Sequence, residues 1–233
     1  MALAFSVGSS QAADGALLPA LAPDAQSLDP RWRNVGLPQA TLPLTEFSAT
    51  QLDGRLAVRV ATHQSYSNLA HELAPPMLVQ RLSWSWRVDQ ANGKSDLRTR
   101  SGDDVALRVC LIFDMALDKV PFVERQMQRL ANAKVGRALP TATLCYAWDR
   151  ALPRHTLLDN AYTRRLRLIV LRNERDGLGQ WKAEQRDVTA DFRRAFGEES
   201  TELPKVSAVF IGGDSDNTGV DTLGFVADLQ AAP

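Results

Sequence analysis

Net charge is the first thing this sequence lacks: 27 lysines and arginines stand against 27 aspartates and glutamates. A nucleic-acid partner draws on a basic excess that displaces counterions from phosphates, so no such partner is expected. Long apolar runs are missing too, and no stretch approaches the roughly 20 residues of a membrane-spanning helix. The three histidines, His63, His71 and His155, lack metal-ligand spacing, and no zincin motif, P-loop or Gly-x-Ser-x-Gly elbow is present. Zinc hydrolysis, phosphoryl transfer, dinucleotide chemistry and Ser-His-Asp catalysis therefore find no support. Cysteine is scarce: Cys110 and Cys145 form neither a C-x-x-C pair nor a disulfide-dense framework. Each lies in a strand-like run, where a lone cysteine is usually a small buried hydrophobe. In an oxidising compartment the two pair only if their strands are neighbours, a point that sequence leaves open.

What is present is apolar content of 45%, enough for a large core in 233 residues. The stretch Ala2-Leu3-Ala4-Phe5-Ser6-Val7-Gly8, followed by Ser10-Gln11-Ala12, resembles the end of a signal peptide with its cleavage site, although a charged first segment is missing. Export to the periplasm or beyond is the expectation. Residues 1–44, with Pro19, Pro23, Pro30, Pro38 and Pro43, read as an N-terminal extension, possible residual signal included, that Trp32 pins to a domain spanning 45–233.

Within that domain apolar residues recur with period two. Leu82, Trp84, Trp86 and Val88 alternate with Ser83, Ser85 and Arg87, and Val105, Leu107, Val109, Leu111 and Phe113 alternate with Asp104, Arg108 and Cys110. Further strands are predicted near 56–61, 142–148, 164–172, 180–188, 205–211 and 223–229. No strand–helix alternation occurs, which argues against a parallel βαβ sheet. Two short helices interrupt the series. One follows Pro121 and carries Val123, Met127 and Leu130; the other is capped by Thr189, carries Phe192, Ala195 and Phe196, and ends at Gly197. Both apolar stripes are expected to pack on the sandwich.

Between the last two strands runs Gly212-Gly213-Asp214-Ser215-Asp216-Asn217-Thr218-Gly219. A hairpin tip needs one or two turn formers, and this segment has more oxygen ligands than a turn requires. One reading is a cation or ligand site; with Asp228, the carboxylates of Asp214 and Asp216 are candidate calcium ligands, though the terminal glutamate of an EF-hand loop is missing. The plainer reading has Asp214 and Asp216 accepting backbone N–H bonds, Asn217 taking a left-handed turn conformation and Gly219 releasing the chain. A second candidate is the off-core face carrying Arg87, Arg108, Asp104 and Glu184, whose arginines offer bidentate donors. Arg87 and Arg108 are expected to share Asp104, with Trp148 or Trp181 stacking on a sugar face.

The ordered set Leu82-Ser83-Trp84-Ser85-Trp86-Arg87-Val88-Asp89, Gly102-Asp103-Asp104-Val105, Arg129-Leu130-Ala131-Asn132, Cys145-Tyr146-Ala147-Trp148, Asn160-Ala161-Tyr162-Thr163-Arg164 and Asp214-Ser215-Asp216-Asn217-Thr218-Gly219 resembles the bacterial domain-of-unknown-function 3047 family over roughly residues 45–230. It departs from that pattern in Ser215, where threonine is frequent, and in Phe225-Val226-Ala227-Asp228, where a Tyr-rich strand is frequent. The family has no established activity. The resemblance implies an all-β, antiparallel jelly-roll or galactose-binding-like β-sandwich, and a fold alone does not confer a role. The expected function is non-catalytic binding of a polar, carbohydrate-like or anionic ligand in the cell envelope, using Arg87, Asp104, Arg108, Trp148, Trp181, Glu184, Asp214, Asp216 and Asn217. The alternatives are a glycan-active enzyme using Asp104 or Glu184 as part of a carboxylate pair, and a structural subunit of an envelope assembly.

Overall fold

The computed structural model describes residues 17–38, 41–136 and 138–233, so the signal-like segment at 2–12 lies outside the described residues. Two sheets form a β-sandwich. The seven-stranded sheet has the order β1 (Arg33–Val35), β4 (Tyr66–Met77), β11 (Val206–Asp214), β6 (Leu107–Phe113), β7 (Ala142–Trp148), β9 (Leu166–Arg172) and β8 (Leu157–Asp159). The five-stranded sheet has the order β10 (Lys182–Asp187), β5 (Arg81–Gln90), β12 (Thr222–Ala232), β3 (Arg55–Thr62) and β2 (Glu46–Leu52).

Side-chain alternation explains why the sheets stack. Leu107, Val109, Leu111 and Phe113 of β6 face Leu82, Trp84, Trp86 and Val88 of β5 across one shared core. Trp84 sits 5.3 Å from Trp86 and 5.2 Å from Tyr146 between ring centroids, and Trp86 meets Trp148 edge-on at 5.6 Å. Connections 63–65, 91–106 and 215–221 are among those that carry the chain from one sheet to the other. The N-terminal lead-in is docked: Leu18, Leu21 and Trp32 join the core, and β1 extends the larger sheet through β4.

Several local expectations change. β7 and β9 run parallel, because the chain between them folds back as β8 and pairs antiparallel to β9 at the sheet edge. The second helix, α2 (Val188–Phe196), begins two residues earlier than expected: Asp187, not Thr189, is its cap and accepts the Ala190 N–H; its Phe192, Ala195 and Phe196 are buried as the pattern predicts. The first helix, α1 (Phe122–Val135), does not pack its apolar stripe on the sandwich, and Val123, Met127 and Leu130 are exposed.

The question left open by two cysteines is resolved by strand register. Cys110 on β6 lies directly opposite Cys145 on β7, with Cα atoms 4.1 Å apart, and the two form a disulfide on the outer face of the larger sheet. It closes a loop across a sequence separation of 35 residues. A cross-link over a loop of that size removes denatured-state entropy worth about 3–4 kcal/mol in the chain-entropy account. Urea unfolding with and without a thiol reductant should therefore show a stability loss of up to that size. An unchanged midpoint would contradict a bridge that constrains the chain.

Candidate functional site

The outer face of the larger sheet carries the second face of the same alternating strands: Arg108 and Cys110 point away from the core that Leu107 and Val109 fill. Arg108 lies on β6 opposite Gly212 of β11, and β11 ends two residues later at Asp214. A side chain at Gly212 would bring its Cβ within 2.5 Å of Asn68 Oδ1 and 3.3 Å of Arg108 Nε, so glycine is what lets the guanidinium lie across this strand.

That guanidinium is bonded through all three of its nitrogens. Arg108 Nη1 donates to Asp214 Oδ2 at 2.5 Å, Nη2 and Nε donate to Asn68 Oδ1 at 3.0 and 3.3 Å, and the group lies 5.1 Å over the Tyr66 ring. Asp214 Oδ1 accepts the Val105 N–H at 2.7 Å. Both ions are buried. Burial pushes the Asp214 carboxyl up, against the opposing pull of Arg108 and the Val105 N–H. Breaking such a pair leaves one charge stranded, at a cost of about 3–5 kcal/mol.

Asp104 performs a second joining task. Its Oδ1 accepts from Asn217 N and Nδ2 at 3.2 and 3.1 Å, and its Oδ2 accepts from Thr218 N and Oγ1 at 2.7 and 2.6 Å. Loop 215–221 is thereby fastened to loop 91–106. A third loop joins through Tyr162, whose hydroxyl donates to Asn217 Oδ1 at 2.8 Å, while Asn160 Nδ2 donates to Asp103 Oδ2 at 2.5 Å.

These loops and the sheet face enclose a pocket of about 430 Å³. Leu97, Val105, Leu166 and Leu168 give it an apolar floor and wall; Asp103, Asp214, Asp216, Asn160, Asn217, Tyr66 and Tyr162 supply polar atoms. Such a mixture of apolar lining and a few convergent polar groups is characteristic of small-molecule sites. Asp103 and Asp216 form no ion pair among the described residues, and Arg108, paired with Asp214, acts on them only as a more distant charge. Burial pushes the carboxyls of Asp103 and Asp216 up to about 6, with Asp214 nearby adding to both, and the Asn160 bond only partly offsets this at Asp103. Asp216 Oδ1 is buried without a hydrogen-bond partner.

The structure brings Asp104, Arg108, Asp214, Asp216 and Asn217 together and separates the rest. Arg87 is on the outer face of the other sheet, bonded to Asp89 (2.5 Å) and Asp53 (2.8 Å), so the grouping of Arg87 with Arg108 around Asp104 is corrected. Both arginines are off-core, but on opposite outer faces of the sandwich. Glu184 accepts from Arg172 Nε at 2.5 Å and Trp86 Nε1 at 3.1 Å, and lines no part of the pocket. Trp148 is buried in the core and presents no face to a ligand; Trp181 packs near Phe225 and under Arg55, 5.7 Å from its guanidinium, on the smaller sheet. Asp228 pairs with Arg55 at 2.6 Å, apart from Asp214 and Asp216, so the three do not form the anticipated calcium set. Among the described residues no group of three or more His, Cys, Asp or Glu is placed to hold a metal ion. The left-handed residue of the loop is Gly219 (φ 66°), not Asn217.

Sequence reasoning missed Tyr66, met Asn160 and Tyr162 only within a family motif, and considered Asp103 only beside Asp104 as a source of a carboxylate pair, not as a ligand-binding residue. The one available signal was the Asn-x-Tyr spacing of Asn160 and Tyr162 in a turn segment.

A two-sheet β-sandwich with a polar pocket on one outer face is thus the class of protein that fold and site define. The chain matches the model of a family described as protein of unknown function (DUF3047) over residues 30–230, and it belongs to that family. No curated protein matches it. Among solved structures it is similar to a mutant family 29 carbohydrate-binding module complexed with cellulohexaose (6% identity, TM-score 0.36, covering 91% of this chain and 88% of that one). It is also similar to the xyloglucanase domain of NopAA from Sinorhizobium fredii (9% identity, TM-score 0.42, 86% and 92% covered) and to the catalytic domain of Humicola grisea Cel12A (11% identity, TM-score 0.43, 92% and 98% covered). At such scores the likeness extends to general sandwich architecture and to nothing finer.

The raised carboxyls make stability depend on pH. A group whose folded pKa lies above its unfolded value favours the fold while protonated, and that contribution is lost as pH rises through the folded value. For Asp216 the window runs from the ordinary 3.8 to about 6. Asp216→Asn should therefore be more stable than wild type at pH 8, by on the order of 1 kcal/mol once solvent screening of this half-buried group is discounted. The advantage should vanish in acid below the ordinary aspartate range. Urea titrations at the two pH values check this; an asparagine variant less stable at pH 8 would contradict it.

Proposed function

We propose that the pocket bounded by Asp103, Tyr162 and Asp216 binds a neutral polyhydroxylated ligand, a sugar unit, without transforming it. The observation that carries this reading is the pair of carboxyls, Asp103 and Asp216, set in one pocket with no ion pair of their own among the described residues, the nearby Arg108 being paired with Asp214 and offsetting their burial only in part. Their burial costs stability at neutral pH, and a destabilising arrangement of this kind is characteristic of a site kept for its ligand. Carboxylates accept hydrogen bonds from hydroxyl groups, and the half-exposed ring of Tyr162 offers an apolar face of the kind that packs on sugar carbons. An anionic ligand fits less well, because three aspartates line the pocket and the single lining arginine, Arg108, is already neutralised by Asp214. The Cys110–Cys145 bridge supports residence in an oxidising compartment, the periplasm or the exterior. No helix among the described residues is long and apolar enough to cross a membrane.

One observation favours a second reading, cleavage of a glycan. A carboxyl near 6 stays protonated to a higher pH than an ordinary aspartate, as suits a general acid in mildly acidic solution, and Asp103 and Asp216 both have that property. Asp104 and Glu184 are poorer candidates, since the carboxylates of both are tied to internal donors.

Calorimetric titration against a panel of neutral oligosaccharides tests the proposal. Wild type should bind at least one member, and Asp216→Asn and Tyr162→Ala should each weaken it about tenfold or more, the scale of one lost hydrogen bond to a charged group. Binding that survives both changes would place the ligand elsewhere. Product release that is lost in Asp103→Asn or Asp216→Asn would establish the second reading instead.

A further inference from the structure

Helix α1 is mounted with its polar side inward. Glu124, Gln128 and Asn132, spaced by four residues, lie on one face and hold the helix to the body. Glu124 pairs with Arg164 (3.2 Å) and with Arg165; Gln128 Nε2 donates to the carbonyls of Leu139 and Pro140 at 2.9 Å each; Asn132 Oδ1 accepts the Leu139 N–H at 2.8 Å. The apolar side faces outward, with Phe122, Val123, Met127 and Leu130 exposed at 66, 68, 64 and 73%. A helix on a globular protein normally buries its apolar stripe, and a contiguous exposed stripe marks an interaction surface.

The charges around this stripe identify its partner. The helix's only acid, Glu124, is spent on Arg164 and Arg165, while Arg129 is exposed beside the outward residues; Arg125 is half-buried, donates to the Asp118 carbonyl at 3.4 Å and lies 5.7 Å over the Phe122 ring. In the turn just before the helix, Asp118 and Lys119 balance each other. A second copy of this chain would set Arg129 against its own kind. A folded protein partner would need a groove, because the stripe stands out as a single helical ridge; a fluid interface accepts a ridge without shape matching. Apolar side chains beside basic ones are the pattern of a helix lying in the headgroup region of an anionic bilayer.

We infer that α1 docks this protein on an anionic lipid surface, with Phe122, Val123, Met127 and Leu130 entering the interface and Arg129 facing lipid phosphates. The inference is independent of the sugar pocket, none of whose lining residues belongs to α1. Its inward polar contacts let the helix dock without leaving the body.

Flotation with vesicles of phosphatidylcholine alone, and of phosphatidylcholine mixed with phosphatidylglycerol, tests this. Wild type should float with the mixed vesicles and remain behind with phosphatidylcholine alone. Met127→Gln/Leu130→Gln should abolish flotation, and Arg129→Gln should weaken it roughly fivefold. All the replaced side chains lie on the outward face or its flanks; a thermal melt like that of wild type confirms the fold of each variant. Equal binding to both vesicle types, no binding to either, flotation indifferent to the substitutions, or a dimer in light scattering that Met127→Gln/Leu130→Gln dissolves would each overturn the inference.

Discussion

The buried ion pair of Arg108 and Asp214 is the constraint on which the pocket rests. Two charges removed from water are tolerable only when paired and when their remaining hydrogen-bonding capacity is filled. Here Asn68 takes two of the guanidinium donors and Val105 N–H fills the second carboxylate oxygen. One interaction thus ties β4, β6, the end of β11 and loop 91–106 at a single point. The glycines of the Gly212-Gly213 pair follow from it: at Gly213 a Cβ would lie 2.6 Å from the Ala106 carbonyl oxygen, so the two chain segments approach as closely as the pair demands only without side chains.

Around that anchor the acids divide by how well they are satisfied. Asp104 uses both oxygens on four donors from Asn217 and Thr218 and is structural. Asp214 is structural through Arg108. Asp103 and Asp216 remain with unfilled capacity in the same pocket, and burial that Arg108 and, at Asp103, the Asn160 bond offset only in part is what raises their carboxyls. The same low-polarity environment that makes them costly strengthens any hydrogen bond a ligand hydroxyl makes to them.

Much of the architecture was legible because strand alternation is a property of each strand by itself. Leu82, Trp84, Trp86 and Val88 declare a half-buried strand without reference to anything else. β4 was not legible: His71 and Glu72 interrupt its alternation, and Pro75 and Pro76 signal a break. For the site, alternation identified Arg87 and Arg108 as off-core, and oxygen-rich composition singled out residues 212–219. Neither signal says which sheet a strand joins, and a sandwich has two outer faces, so Arg87 was grouped with residues on its far side; Glu184 shares its face with core-facing Trp84 and points between the sheets, where Trp86 and Arg172 reach it. The partners that complete the pocket, Asp103, Asn160 and Tyr162, lie between 50 and 115 positions from the 212–219 loop in sequence, and only strand order brings them to it. α1 misled in a different way. Its 3.6-residue periodicity was read correctly, but periodicity does not say which face points inward, and the polar face of Glu124, Gln128 and Asn132 does.

The central claim is that the pocket holds two undercompensated carboxyls ready for a neutral ligand. A carbon-detected NMR titration of the aspartate side chains tests it most directly. Asp103 and Asp216 should titrate near 6, well above the solvent-exposed aspartates, and both should shift when a bound sugar replaces water around them. Titration of both groups in the ordinary aspartate range would contradict the account, because it would mean that the pocket already satisfies its acids and holds no unmet demand for a ligand.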